Sequence, residues 1–243
     1  HYFRSKMALK AAVARLQLGR KLRGQPPLPM IPPGGSSPQG VMGIVDAVFE
    51  LKAQLLAENL PAPALIYVAM GSMGTAAGLA VGAEAAGLGS RVVPVRVIGR
   101  SSAGPRKYRK LVRRVRQHLT GWAQAEGMPP ARPLQALPEE ELRLREEFIG
   151  PGYAHFTEGS LAASDLLKAH TGLVLDGTYS AKAFAALVLD ARTGLLKDRP
   201  VLFWNTHNQQ DLQPMAEGQD YQQLPTGLHP YFTEPVQPLA RGR

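Results

Sequence analysis

The chain contains no cysteine among its 243 residues. Disulfide bonds, thiol nucleophiles and thiolate metal sites are therefore excluded. The six histidines are scattered without the H-x-x-x-H spacing of a metal site, so we expect no bound metal. Long apolar runs are missing as well, because no uninterrupted stretch reaches the ~20 residues of a membrane-spanning helix. These features predict a cytoplasmic, metal-free protein.

The excess positive charge, +9 at pH 7, is concentrated in two segments. Residues 1–24 contain seven lysines or arginines and residues 100–117 contain eight, and neither segment contains an acidic residue. Apolar residues recur at helical spacing through and beyond the second segment, which predicts an amphipathic outer helix with a solvated basic face. They are Leu111, Val112, Val115, Leu119 and Trp122. Because no exposed aromatic residues or recognisable motif accompany these charges, we do not expect nucleic-acid binding.

Helical and strand patterns alternate along the chain. Helices are predicted over residues 3–22, 40–58, 75–86, 159–170 and 180–191, and strands over residues 28–31, 65–70, 91–97 and 200–205. Apolar, β-branched strands that alternate with helices are typical of a parallel sheet covered on both faces. We therefore predict an α/β fold, an open, mostly parallel twisted sheet with helices on both faces. A proline-rich passage at 128–138 and an acidic helix at 139–147 interrupt the alternation.

The loop GSMGT follows the apolar strand ALIYVAM and leads directly into an alanine-rich helix. Gly71 and Gly74 allow the backbone to turn sharply and to approach a ligand closely. Consecutive amides, together with the hydroxyls of Ser72 and Thr75, would point at an anion over the helix N-terminus. The pattern predicts a phosphate site, although a tight packed turn between a strand and a helix would use the same glycines.

Three kinds of phosphate ligand place different demands on a loop of this type. A Walker-type nucleotide loop needs a lysine directly after its last glycine, and the loop has none. A dinucleotide fingerprint needs G-x-G-x-x-G and a later acidic residue for the ribose, whereas the glycines here stand at 71, 74 and 78 and the next strand leads to Arg100. Arg100 could still contact a 2′-phosphate, so an NADP-binding protein remains a minor alternative. A compact monophosphate such as that of pyridoxal phosphate needs only a short ring of amides and hydroxyls.

Five segments of the chain, in order, resemble the family of D-cysteine desulfhydrases and 1-aminocyclopropane-1-carboxylate deaminases. They are IPPGGSSPQGVMGIVDAVFEL, YVAMGSMGTAAGLAVG, FIGPGYAHFTEGSLAA, LDGTYSAKAFAAL and VLFWNTH. This family belongs to the tryptophan-synthase-β-like, or fold type II, pyridoxal-phosphate enzymes. The resemblance implies a pyridoxal-phosphate-dependent lyase or deaminase acting on a small amino acid, and we expect a homodimer. Residues 1–35 would be the end of a small domain and residues 36–243 the large cofactor-binding domain.

The resemblance also implies roles for individual residues. The cofactor phosphate would be bound by Gly71, Ser72, Met73, Gly74 and Thr75. Tyr153 and Tyr179 would face the cofactor and the substrate as catalytic residues, and the hydroxyls of Ser180 and Thr206 would contact the pyridine nitrogen. Deaminases of this family place a glutamate at the position of Ser180, which would keep that nitrogen protonated. We therefore predict α,β-elimination of the D-cysteine desulfhydrase type rather than opening of a cyclopropane ring.

Two features differ from the family pattern. Members carry the lysine that forms the cofactor Schiff base, and a Ser-Asn-His segment, upstream of the position matching Phe3, so we expect this chain to be a fragment that is inactive by itself. Lys182 matches a different lysine. The glycine pair after the last strand is replaced by His207 and Asn208, which leaves the substrate open. A non-catalytic module that binds a phosphate metabolite, or an acidic partner through the basic helix, is the alternative.

Overall fold

The computed structural model describes residue 3 and residues 5–127, 144–234 and 239. The predicted proline-rich passage at 128–138 and most of the predicted acidic helix at 139–147 lie outside these residues. The chain divides into two compact units, one formed by residues 1–31 with 210–242 and the other by residues 32–209. The domain boundary that we placed after residue 35 stays a prediction.

The secondary structure follows the predicted alternation of helices and strands. The helices are α1 (Lys6–Leu22), α2 (Met42–Ala57), α3 (Gly74–Ala86), α4 (Pro105–Ala125), α5 (Glu158–Thr171), α6 (Ser180–Arg192), α7 (Gln213–Ala216) and α8 (Pro230–Thr233). The strands are β1 (Leu65–Met70), β2 (Arg91–Arg96) and β3 (Val201–Trp204). Within the described part of the chain, no helix has both the length and the apolarity needed to cross a membrane.

The first unit contains α1, which begins after Ser5, whose side chain accepts a hydrogen bond from the backbone N–H of Ala8 at 3.1 Å. The strand predicted at 28–31 is wrong, because these residues have no regular secondary structure and pair with no strand in the described part of the chain. The backbone N–H and carbonyl of Leu28 instead form hydrogen bonds, both 2.9 Å long, with the side chain of Gln17. Prolines recur in the segment PPLPMIPP and cannot donate to a β-ladder, which explains the difference.

The second unit is built on a parallel sheet with the strand order β2-β1-β3. Alternate residues of the central strand β1 point to opposite faces. Ile66 and Val68 belong to a buried cluster with residues of α2, α3 and α4, whereas Leu65 and Tyr67 pack with residues of α6. Helices therefore cover both faces of a parallel sheet, and the predicted fold class is confirmed.

Helix α3 lies between α2 and α4 on the face of the sheet that carries Ile66 and Val68, and ten of its 13 residues are buried. Two of its glycines allow α2 to approach closely. A Cβ on Gly78 would lie 2.7 Å from Cβ of Ile44, and a Cβ on Gly82 would lie 2.7 Å from Cγ2 of Val48. Helix α4 packs on the other side of α3 with Leu111, Val112 and Val115 of the predicted apolar face, whereas Trp122 is exposed. Arg116 of α4 pairs with Glu84 of α3 at 2.7 Å.

The segment before the Glu147–Ile149 turn runs along the outer edge of β2. The amide of Arg145 donates to the carbonyl of Pro94 at 2.9 Å, and its carbonyl accepts from the amide of Arg96 at 2.8 Å. The helix predicted over 139–147 is therefore wrong for residues 144–146, which extend the sheet. The Arg145 guanidinium and the Tyr67 hydroxyl both donate to the carboxylate of Asp190 in α6. This network fixes the segment and α6 to the sheet.

Candidate functional site

The predicted phosphate loop lies where β1 ends and α3 begins. Met73 immediately precedes α3 in the left-handed conformation (φ 75°, ψ −9°), which is uncommon for a residue with a side chain. Such strained backbone is characteristic of functional loops. The first amides of a helix have no acceptor within the helix, and the hydroxyls of Ser72 and Thr75 flank them in sequence. The loop therefore places amide and hydroxyl groups at the positive end of a helix.

A second loop, which contains the turn Pro33–Gly35, packs directly on the phosphate loop. Ser36 Oγ donates to Ser72 Oγ at 2.8 Å. A Cβ on Gly34 would lie 2.1 Å from Ser72 Oγ, and a Cβ on Gly74 would lie 2.7 Å from Ser36 Oγ. The side chain of Ser72 therefore lies directly on the backbone of Gly34, and the side chain of Ser36 lies on the backbone of Gly74. These contacts and the hydrogen bond hold the Ser72 hydroxyl in place.

The ring of Tyr179 lies against the backbone of Gly71. A Cβ on Gly71 would be 2.8 Å from Cε1 of that ring. The Tyr179 hydroxyl donates to the hydroxyl of Tyr153 at 2.9 Å, and the two rings meet edge to face with centroids 5.9 Å apart. Burial raises the pKa of Tyr179 above its ordinary value, and the hydrogen bond to Tyr153 raises it further. Both predicted tyrosines are thus brought together next to the phosphate loop, and Tyr179 is protonated at neutral pH.

Asp176 organises the start of α6 and was missed in the sequence analysis. Its Oδ1 accepts from the amides of Thr178 and Tyr179 at 3.1 and 2.6 Å, and its Oδ2 accepts from the amide of Ser180 at 2.9 Å. The Ser180 hydroxyl also donates to this carboxylate. An aspartate a few residues before a helix is a capping signal, so LDGTYS could have revealed this role. The contact of Ser180 with a pyridine nitrogen stays a prediction, since its proton is directed at Asp176.

Thr206 follows β3 at the same edge of the sheet as the phosphate loop. The parallel register pairs Trp204 with Val68, so the chain leaves β3 beside the end of β1. Thr206 is exposed, and within residues 144–234 no hydrogen bond joins it to Ser180. The backbone N–H of His207 donates to Asn205 Oδ1 at 3.0 Å, which forms a tight turn after the strand. The structure therefore places Thr206 near the site, and its role stays a prediction.

Lys182 is fully buried in the first turn of α6. Its Nζ donates to the carbonyl of Ile149 at 2.6 Å and is 3.4 Å from the carbonyl of Gly152. Burial lowers the pKa of Lys182, and the charge of Asp176 opposes this effect. The lysine thus contacts the backbone of the GPGY segment that carries Tyr153.

The chemistry of these donors fits a phosphorylated aromatic cofactor. The loop combines helix N-terminal amides with hydroxyls, and an aromatic ring borders it at a position where a Cβ could not fit. Among the described side chains, no group of three histidine, aspartate or glutamate residues could hold a metal ion.

Comparison with known proteins gives a consistent result. The model of the family "pyridoxal-phosphate dependent enzyme" matches residues 8–207. The chain is 33% identical over 178 residues to a D-cysteine desulfhydrase of Klebsiella pneumoniae subsp. pneumoniae, covering 73% of the chain and 49% of the relative. A D-cysteine desulfhydrase of Salmonella newport is 31% identical over 180 residues, with the same coverage of both proteins.

A solved structure supports the same relationship. The crystal structure of a homologue of 1-aminocyclopropane-1-carboxylate deaminase superposes with a TM-score of 0.61 and 26% sequence identity. The superposition covers 84% of this chain and 56% of that one. The chain therefore spans about half the length of the proteins that it matches.

Proposed function

The chain belongs to the family of pyridoxal-phosphate dependent enzymes. We propose that it supplies the phosphate site and the tyrosine pair, Tyr153 and Tyr179, of an enzyme that catalyses α,β-elimination from a small amino acid. The substrate would carry a leaving group on its β-carbon, as D-cysteine does. The observation that carries this proposal is the Tyr179 ring, which contacts Gly71 of the phosphate loop and hydrogen-bonds to Tyr153. The non-catalytic module and the NADP-binding protein are not favoured by the family match.

The chain's own residues would hold the cofactor at its phosphate. The amides at the start of α3 and the hydroxyls of Ser72 and Thr75 would donate to the phosphate oxygens. Ser36 would keep the Ser72 hydroxyl oriented through their 2.8 Å hydrogen bond. The bound cofactor would withdraw electrons from bonds at the α-carbon of the substrate.

The two tyrosines would donate a proton to the leaving group during the elimination. The raised pKa of Tyr179 keeps its hydroxyl protonated, so it would act as a donor and not as a base at neutral pH. Tyr153 accepts that hydrogen bond and is 54% exposed, so its own hydroxyl can reach a substrate group or water. The pair would then deliver a proton to the departing group.

Ser180 supports elimination over ring opening. It stands where the family resemblance implies a glutamate in the deaminases, and its hydroxyl is already hydrogen-bonded to Asp176. A hydroxyl in this position would not hold the pyridine nitrogen protonated, so the ring would accept less negative charge. A reaction with a good leaving group tolerates this limitation better than the opening of a cyclopropane.

The remaining expectations belong to the same proposal. We also propose a homodimer, and a cytoplasmic location is compatible with the absence of cysteine. Light scattering after size-exclusion chromatography of the full-length protein would test the dimer.

The test of the reaction compares two substrates in the full-length enzyme. Release of pyruvate from D-cysteine or β-chloroalanine is expected to exceed release of 2-oxobutyrate from 1-aminocyclopropane-1-carboxylate. Ser180→Glu is expected to shift the ratio of the two rates toward the cyclopropane. Faster ring opening than elimination by the unmodified enzyme would contradict the proposed reaction.

A further inference from the structure

Lys182 occupies a position that is electrostatically unfavourable for a cation. It lies in the first turn of α6, where the helix dipole favours negative charge, and its side chain is fully buried. Removing an ammonium group from water is costly unless partners replace the water. An apolar side chain of similar length would fill the same space without this cost, so the cation needs a specific explanation.

The partners of Lys182 come from one short segment. Its Nζ donates to the carbonyl of Ile149 at 2.6 Å and approaches the carbonyl of Gly152 at 3.4 Å. These two carbonyls stand on either side of Gly150 and Pro151, immediately before Tyr153. The charge of Asp176, which caps the same helix, offsets part of the burial cost.

The segment around these carbonyls contains two residues at positive φ. Gly150 has φ 67° and ψ −146°, a conformation that is essentially restricted to glycine, and Ala154 has φ 64°. The segment is fixed before this stretch by Arg145 at the edge of β2. It is fixed after it by Thr157, which caps α5 through reciprocal hydrogen bonds with Ser160.

We propose that Lys182 is a positioning residue that sets the Tyr153 hydroxyl against the Tyr179 hydroxyl by holding the carbonyls of Ile149 and Gly152. Lys182 and Tyr179 belong to the same helix start, so the lysine links the two tyrosines through α6. Its role in catalysis rests on the proposed function, whereas its effect on the geometry of the tyrosine pair does not.

The test uses fluorine NMR of the protein labelled with 3-fluorotyrosine, with Tyr153→Phe and Tyr179→Phe assigning the two resonances. In Lys182→Met, both resonances are expected to move toward the position of free fluorotyrosine, and the pKa of Tyr179 is expected to fall. Lys168→Met in α5 is the matched control, because Lys168 is exposed, and it should leave both resonances in place. Unchanged resonances in Lys182→Met would overturn the proposal.

Two further measurements keep the proposal testable if Lys182→Met does not fold. Lys182→Gln retains N–H donors and is expected to restore the native resonances in part. In the unmodified protein, we expect a slowly exchanging ammonium signal for Lys182, with coupling to the carbonyl carbon of residue 149. A rapidly exchanging signal would refute the proposed contact between Lys182 and that carbonyl.

In the active enzyme, Lys182→Met is expected to lower kcat about 10- to 100-fold with little change in KM. Normal kcat with displaced resonances would refute the catalytic role of the tyrosine pair and leave the positioning role of Lys182 intact.

Discussion

Replacing Gly71 by alanine would place a methyl group 2.8 Å from Cε1 of Tyr179. Ordinary contact begins near 3.4 Å, so the ring must recede by roughly 0.6 Å. A shift of that size along the bond would stretch the 2.9 Å hydrogen bond between Tyr179 and Tyr153 to about 3.5 Å, where little of it remains.

The free energy of unfolding is expected to fall by about 0.5–4 kcal/mol in Gly71→Ala. Overpacking of this kind costs about 1–3 kcal/mol, and a lost hydrogen bond adds about 0.5–1.5 kcal/mol. Alanine also reduces the conformational entropy of the unfolded chain, which stabilises the folded state by about 0.4–1 kcal/mol and offsets part of this loss. Denaturant unfolding measures the net change. Gly121→Ala in α4 is the control, because its Cβ meets nothing within 4 Å and is expected to stabilise the helix.

A double-mutant cycle with Tyr179→Ala isolates the contact. If the cost arises from the ring, Gly71→Ala should be nearly neutral once the ring is absent. An equal loss of stability in both backgrounds would refute the argument and would indicate that the backbone of the loop itself rejects alanine.

Three other predictions follow from the same geometry. Thr75→Val is expected to weaken pyridoxal phosphate binding in the full-length protein by about 1.5–3 kcal/mol, measured by absorbance titration, because a donor to a charged group is lost. Stability is expected to fall as the pH rises above 10.0, the ordinary pKa of tyrosine, because burial raises the pKa of Tyr67 and Tyr108 and the unfolded chain therefore loses these protons first. Denaturant titrations on either side of that pH would contradict this if the midpoint stayed constant. Gly82→Ala is expected to destabilise the fold by about 1–3 kcal/mol in a thermal melt, because its Cβ would clash with Val48.

The sequence predicted the elements of the second unit closely. The predicted strand 65–70 coincides with β1, and the ends of the predicted helices differ from those of α2, α3, α5 and α6 by at most two residues. These elements were predictable because each has a clear apolar periodicity within its own segment of sequence. The strand predicted at 28–31 failed because a short apolar run was weighed above the prolines within it, and residues 144–146 extend the sheet because of pairing that no local pattern encodes.

The site was predictable where its chemistry is contiguous in sequence. GSMGT predicted an anion loop, and the structure places this segment between β1 and α3. The family resemblance pointed to Tyr153 and Tyr179, which the structure brings together, and the roles of all these residues stay predictions. Ser36 and Lys182 were not recognised as supports because their partners are 36 and 33 residues away in the chain. Nothing in the segment YSAKAF distinguishes Lys182 from an exposed helical lysine, because its partner, the Ile149 carbonyl, comes from a distant part of the chain.

Helix α3, with ten of 13 residues buried, would also determine how the proposed phosphate site responds to its ligand. Its N-terminus is part of the core, so the site is preorganised and little chain entropy is lost when an anion arrives. Ligand binding would therefore protect the whole second unit against unfolding and would not merely order a loop. Hydrogen exchange in β1 and α3 should slow together by the same factor when phosphate binds, as a single cooperative unit requires.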